Sequence, residues 1–267
     1  MSRKPSVAGY FYPQNPVALR KMIGEMVDLE MEKEKALGVI SPHAGYQYSG
    51  HVAGSVFSSV ELPDKFILLG PSHRYAEKDF SIMRIGTWET PLGDIPILTQ
   101  LADLLLQKGL VKEDDSCHKS EHSLEVQIPF IQYFKTKFSF VPLCIGPHAS
   151  FDNLVELGNL IAKCIQESGD EILIVASTDM SHYVSQDEAK EKDFKAIDMI
   201  LKLDPQGLHD IVVSENISMC GYQPTVSALV AANHLGAKKS ELVKYQTSGD
   251  VTGDTAEVVG YAGLRIL

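Results

Sequence analysis

The sequence has no C-x-x-C pair, no apolar run near the ~18 residues of a membrane helix, no basic excess and no repeat or low-complexity tract. Each absence removes a class of function. Even the apolar runs around Ile172 and Val226 are broken by polar residues or turns, so no spanning helix is expected. Lys and Arg number 24 against 35 Asp and Glu, a formal charge of −11, and the acidic residues are spread along the chain rather than gathered in a tail. Nucleic acid and anionic membrane are therefore poor partners. The opening MSRKPSVAGY lacks the apolar run of a signal peptide, and Cys117, Cys144, Cys164 and Cys220 form no C-x-x-C pairing. The expected setting is a reduced cytoplasm.

What is there is ordinary globular material: 267 residues, 44% hydrophobic and 22% charged. The short apolar runs in ALGVISPH, FILLGPSH, FSFVPLCIGPH and ILIVASTDMSH read as buried strands. Between them, helical periodicity predicts helices over 16–34, 50–59, 98–108, 120–134, 151–168, 186–202, 205–214 and 221–235. Near the end, LVKYQTSG and AEVVGYAGLRIL flank a turn-rich segment from Gly249 to Gly253, a hairpin signal. The expected fold class is α/β: one domain over 1–267, with a central mixed sheet flanked by helices.

Several of these strands run out at a histidine. His43 follows Val39-Ile40-Ser41-Pro42, His73 follows Leu68-Leu69-Gly70-Pro71-Ser72, and the Val175 strand leads through Asp179 to His182. In open α/β sheets, ligands bind beyond the carboxyl ends of the strands, and neutral imidazole is a common metal ligand. His43 and His73 are thus the candidate ligands. Asp179 and His182 are candidates to orient, ligate or move protons from the same crevice. A two-His-one-carboxylate face would suit Fe(II), and its third member could be Asp179, Asp250 or Asp254.

Two further patterns compete for the chemistry. His118-Lys119-Ser120-Glu121-His122 matches the H-x-x-E-H spacing of a zinc hydrolase, provided both histidines share a helix with Glu121 as base. If the helix begins at Ser120, His118 falls outside it, and His122 becomes a pocket residue instead. His148 repeats the Gly-Pro-His punctuation at a fourth strand end, while His51, His209 and His234 read as structural or surface residues. Tyr10, Phe11, Tyr12, Tyr46 and Tyr48 are either an aromatic wall or core.

Taken in order, VAGYFYP, SPHAGYQYSG, LLGPSH, EHSLEVQIPF, STDMSHY, MCGYQPT and YQTSGD resemble the Memo family over essentially the whole chain. That resemblance implies a fold like the LigB-type class III extradiol dioxygenases, which use non-haem iron. It implies His43 and His73 as metal ligands and His182 as the base, with Asp179 and His122 lining the cleft. Matching YQTSGD to the family's variable third position offers Asp250 there. A carboxylate favours Fe(II), with zinc or copper as the other ions to consider. The resemblance further implies a small-molecule or peptide ligand in the cleft, and association with AMMECR-type and radical SAM proteins. Three functions follow as alternatives: a dioxygenase-like oxidoreductase, a binding or signalling protein that uses the same cleft, and the zinc hydrolase.

Overall fold

The computed structural model describes residues 2–73 and 78–267. In chain order the elements begin with β1 (Ser2–Arg3), α1 (Pro16–Gly24), β2 (Gly38–Ser41), α2 (Tyr46–Ser58), β3 (Lys65–Pro71), β4 (Phe80–Ile82), β5 (Thr87–Trp88) and β6 (Ile95–Pro96). They continue through α3 (Thr99–Gln107), β7 (Lys112–Glu113), a 3-10 turn (Glu125–Gln127), α4 (Ile128–Phe134), β8 (Ser139–Ile145), α5 (Phe151–Ser168) and β9 (Leu173–Ser177). The remainder is β10 (His182–Val184), α6 (Gln186–Leu201), α7 (Pro205–Ser214), α8 (Tyr222–Leu235), β11 (Ser240–Thr247), α9 (Gly249–Thr252) and β12 (Val258–Ile266).

The large sheet runs β10-β12-β2-β9-β3-β8-β4-β7, with β11 on the other edge of β12. Its centre, β2-β9-β3-β8, is parallel, and β12 joins β2 antiparallel, so the sheet is mixed. β1, β5 and β6 form a separate small sheet. The central strands are buried on both sides, and their side chains alternate between two cores. Ile40, Ile67, Leu69, Val141, Leu143 and Ile174 pack under α3, α5 and α8. Val39, Phe66, Leu68, Phe140, Leu173 and Val175 pack under α1, α2 and α4. Each fully buried Leu or Ile contributes about 1.5–3 kcal/mol, so a one-residue slip would exchange the two faces at large cost.

The helix starts follow local chemistry. Asn15, Ser150, Ser185 and Asp204 cap α1, α5, α6 and α7 with their side chains, and Pro16 and Pro205 occupy first-turn positions. The 151–168 helix ends at Gly169, whose φ of 66° is the left-handed cap glycine favours. No helix among the described residues is long and apolar enough to cross a membrane.

Two expected helices are cut short. The 16–34 pattern is helical only to Gly24, because the chain must turn to lay Met26 on α2. A Cβ at Gly54 would stand 2.2 Å from the Met26 carbonyl oxygen, so the backbones touch there. The 120–134 pattern is α-helical only from Ile128. In its first part the Glu121 carboxylate accepts the Ser123 N–H, a local turn in place of helical pairing. The C-terminal strands do pair antiparallel, from Ser240↔Ile266 to Thr247↔Gly260, but α9 and a loop widen the connection.

Candidate functional site

Adjacent parallel strands β2, β9 and β3 end side by side, with Ser41 in register with Ser177 and Leu69 with Ala176. His43, Asp179 and His73 each stand two residues past the last strand residue. The topology therefore delivers all three to one cleft of about 720 Å³. His122 arrives from the segment before the 3-10 turn, and His182 from the start of β10.

The donor atoms of His43, His73 and His122 all lie within 4.8 Å of one another. The His43 and His73 rings are 5.2 Å apart and nearly perpendicular, and His122 stacks on His73 at 4.7 Å. A metal about 2.1 Å from each nitrogen would separate tetrahedral nitrogens by roughly 3.4 Å, so closure needs shifts of about an ångström.

The hydrogen bonds around His43 set its tautomer. Gln127 Nε2 donates to the Pro42 carbonyl at 2.9 Å, which orients its amide, and also to Ser177 Oγ at 2.9 Å. Ser177 spends its one proton on the Ser123 carbonyl at 2.6 Å. Toward His43 Nδ1, 2.9 Å away, Ser177 can only accept, so Nδ1 carries the proton and Nε2 presents its lone pair to the cleft. Burial, then the neighbouring His122 and His73, holds this imidazole well below its usual range, which keeps it neutral. A neutral Nε2 on a rigid strand end is the form a metal takes.

His73 is held differently. Its backbone N–H donates to Glu121 Oε2 at 2.7 Å, and its Nδ1 sits 2.9 Å from Glu121 Oε1. Burial would raise Glu121, but these bonds and the charge of His73 outweigh it and keep the carboxylate well below its usual range. This is the carboxylate–histidine arrangement that fixes a ligand ring and raises its basicity. The segment reaches His73 only because β3 has Gly70 beneath it. A Cβ there would meet Ser123 Oγ at 2.6 Å and Leu124 Cδ2 at 2.7 Å.

Asp179 accepts the His43 backbone N–H at 2.7 Å, and its Oδ2 is 4.0 Å from His43 Nε2. Burial pushes its carboxyl up to about 6, opposed by that N–H and by the charges of His182 and His73. Cys220 places Sγ 3.2 Å from the same Nε2, and His43, Asp179 and Cys220 form an overlapping donor group. His182 Nδ1 is 2.9 Å from the Ser218 carbonyl, which can only accept, so that nitrogen carries the proton.

Asp250 is placed elsewhere. Its carboxylate accepts from Thr247 N at 2.8 Å and Thr247 Oγ1 at 3.1 Å, and it belongs to none of the donor groups among the described residues. As the second residue of α9, Asp250 turns its carboxylate back onto Thr247, whereas Asp254 lines the cleft. The third imidazole stands where the two-His-one-carboxylate expectation put Asp250.

The H-x-x-E-H geometry is also absent. Without a helix over 118–122, His118 joins Cys117 and Cys144 in a separate buried group, while His122 faces the cleft. His148 is exposed and does not line the cleft. The aromatic segment divides: Tyr10, Phe11 and Tyr48 line the cleft, while Tyr12 and Tyr46 are buried and hydrogen-bonded to Glu125 and the Val126 carbonyl. Spacing missed Glu121 as the partner of His73 and Cys220 as the neighbour of His43. Both lie in motifs of the sequence, EHSLEVQIPF and MCGYQPT, but no spacing pairs them with these histidines, since both pairings cross the fold.

Three comparisons bear on this arrangement. A family model described as Memo-like protein matches residues 3–265. A MEMO1 family protein of Methanosarcina mazei is 42% identical over 99% of this chain and 98% of its own. Another, from Methanopyrus kandleri, is 40% identical over 99% and 98%. The crystal structure of an uncharacterized protein from Escherichia coli K12 superposes with a TM-score of 0.59 at 14% identity, covering 85% of this chain and 99% of that one, which is a likeness of fold. With the match running nearly end to end, the chain belongs to the Memo-like protein family.

Proposed function

We propose that the cleft is a mononuclear metal centre built on His43, His73 and His122, that Fe(II) is its ion, and that it serves an oxidoreductase of the dioxygenase type. The observation that carries the reading is the set of three converging imidazoles, two of them oriented through Nδ1 by Ser177 and Glu121. Asp179 sets a carboxylate beside them, and a nitrogen-rich set with an adjoining oxygen donor suits Fe(II). When bound, the ion would supply Lewis acidity and a redox centre with positions open to ligands.

The chain's own residues do the rest. Glu121 and Ser177 fix the orientation of two rings, so binding requires the donors to close in but not to turn. His182, in its neutral form, keeps its proton on Nδ1 and uses Nε2 to take a proton from a substrate hydroxyl. Phe11, Tyr48 and Tyr261 give the cleft flat apolar walls that fit a small aromatic substrate.

The test is anaerobic purification and elemental analysis of the wild type and of His43→Ala, His73→Ala, His122→Ala and Asp250→Ala, followed by oxygen uptake with a panel of catechols. The reading expects iron to be lost with each histidine and kept in Asp250→Ala. Iron that stays stoichiometric in all three histidine variants sinks it.

A second reading rests on the rim. Tyr10 is 88% exposed and Tyr183 is 75% exposed, and Tyr183 is held at a φ of 57°, a conformation uncommon for a bulky residue. Such a lip suits capture of a peptide without turnover. Bound metal with no oxygen uptake, together with peptide binding lost in Tyr183→Ala, would favour it.

A further inference from the structure

The cleft leaves a second cluster unused. Cys117 and His118 lie on the segment after β7, and Cys144 lies on β8. All three are at most 5% exposed, and their donor atoms stand within 4.8 Å of one another. His118 Nδ1 is 3.3 Å from Cys144 Sγ, and Cys117 Sγ is 3.2 Å from the Asp114 carbonyl oxygen. His118 Nε2 has no hydrogen-bond partner among the described residues, so this buried ring finds polar company only on the sulfur side.

The walls are apolar and anchored. The Trp88 ring stands edge-on to His118 with centroids 5.8 Å apart, and the Arg3 guanidinium lies over the Trp88 ring, 4.0 Å from its centroid. Arg3 donates to the His118 carbonyl and to the Glu121 carbonyl, both at 2.6 Å, and pairs with Glu125 at 2.8 Å. The backbone that carries Cys117 and His118 is therefore fixed at the edge of the small sheet. The neighbouring Cys144 thiol holds the Cys117 thiol below its usual range, while Cys117 and burial push Cys144 up.

We propose that Cys117, His118 and Cys144 form a second metal site, structural in role, for a thiophilic divalent cation of the Zn²⁺ class. Two sulfurs and one imidazole make three of the four donors of a closed tetrahedral zinc site, and the Asp114 carbonyl is available as the fourth. The charge also decides. Two thiolates and one 2+ ion sum to zero, which suits an apolar interior, whereas a monovalent ion would leave a buried negative charge. On binding, the two thiol protons leave to solvent and two Zn–S bonds form, with no change of oxidation state. The consequence reaches the cleft, because the same short segment carries Glu121 and His122. Loading the cysteine site would fix the loop that orients the histidine site, yet the two can fail separately.

The experiment uses Co²⁺ as the probe on full-length, reduced, metal-free protein. His43→Ala/His73→Ala, which lacks two cleft donors, should bind about one equivalent with a sulfur-to-cobalt charge-transfer band and intense tetrahedral d–d bands. Cys117→Ser/Cys144→Ser should lose the charge-transfer band, and Cys220→Ser should keep it. Zn²⁺ should displace the cobalt signal and raise the melting temperature of His43→Ala/His73→Ala, and that rise should vanish when Cys117→Ser/Cys144→Ser is added to it. The wild type is titrated in parallel, so a variant that fails to fold still leaves the spectrum as the readout. A folded wild type with no sulfur band overturns the proposal. So does a band lost only in Cys220→Ser, or a Cys117–Cys144 disulfide that forms in air and excludes metal. A wild type that takes no metal at the histidine cleft, with the sulfur band intact, counts against the proposed function and not against this site.

Discussion

The two clusters at either end of the segment from Cys117 to His122, three imidazoles in one and two thiols with an imidazole in the other, differ in surroundings as well as in donors. The histidine cluster opens on a cleft, and its His43 and His73 rings are oriented through Nδ1 by Ser177 and Glu121. The cysteine cluster is closed, walled by Trp88, and leaves His118 Nε2 without a partner. Access and second-layer hydrogen bonds suit the first to exchange ligands. Enclosure suits the second to hold one ion and stay put. Donor type alone would not separate the two roles.

Arg3 joins the two regions, so its removal gives the largest expected effect. Its side chain is 3% exposed and that of Glu125 is fully buried. Arg3→Met leaves Glu125 uncompensated and releases two carbonyls, and should cost about 3–5 kcal/mol by urea unfolding. Unfolding like that of the wild type would show that the clamp does not tie the segment. His43→Ala comes next. Metal affinity of the cleft should fall by more than about 100-fold, since a ligand is lost rather than a supporting group, while the sulfur-to-cobalt band is unchanged. A parallel loss of both signals would erase the distinction between the clusters.

Glu121→Gln sharpens the comparison at a smaller scale. A glutamine cannot accept from both the backbone N–H and the ring Nδ1 of His73, and calorimetric titration should show cleft affinity reduced by about 10–100-fold. Smallest is Asp250→Asn. It should cost about 1 kcal/mol through the Thr247 turn and leave the metal content of the cleft unchanged by elemental analysis. Metal lost from that variant would restore Asp250 as a ligand.

Much of this was legible in the sequence because it is local. The apolar runs that end in Pro-x-His or Pro-His mark strands whose ends carry imidazoles, and side-chain caps at Asn15, Ser150, Ser185 and Asp204 mark where helices begin. The Memo resemblance likewise rests on contiguous motifs. The errors share one origin. Helical periodicity continues past Gly24 and backward from Ile128, but Met26 must touch Gly54, and Glu121 must reach His73. Both contacts join residues far apart in the chain, and they outweigh a helix propensity of a few tenths of a kcal/mol per residue.

The feature of a histidine beyond each strand end belongs to the sequence by itself, because short buried strands and their punctuation are set by neighbouring residues. So does the α/β class, which follows from the alternation of strand and helix patterns. Which of the nine histidines share a centre was decided only by the tertiary structure. Parallel order β2-β9-β3 sets His43 beside Asp179 and His73, the clamp on Arg3 brings in His122 and takes His118 away, and α9 turns Asp250 onto Thr247. Coordination needs donor atoms within a few ångströms, and only packing across the chain sets distances on that scale.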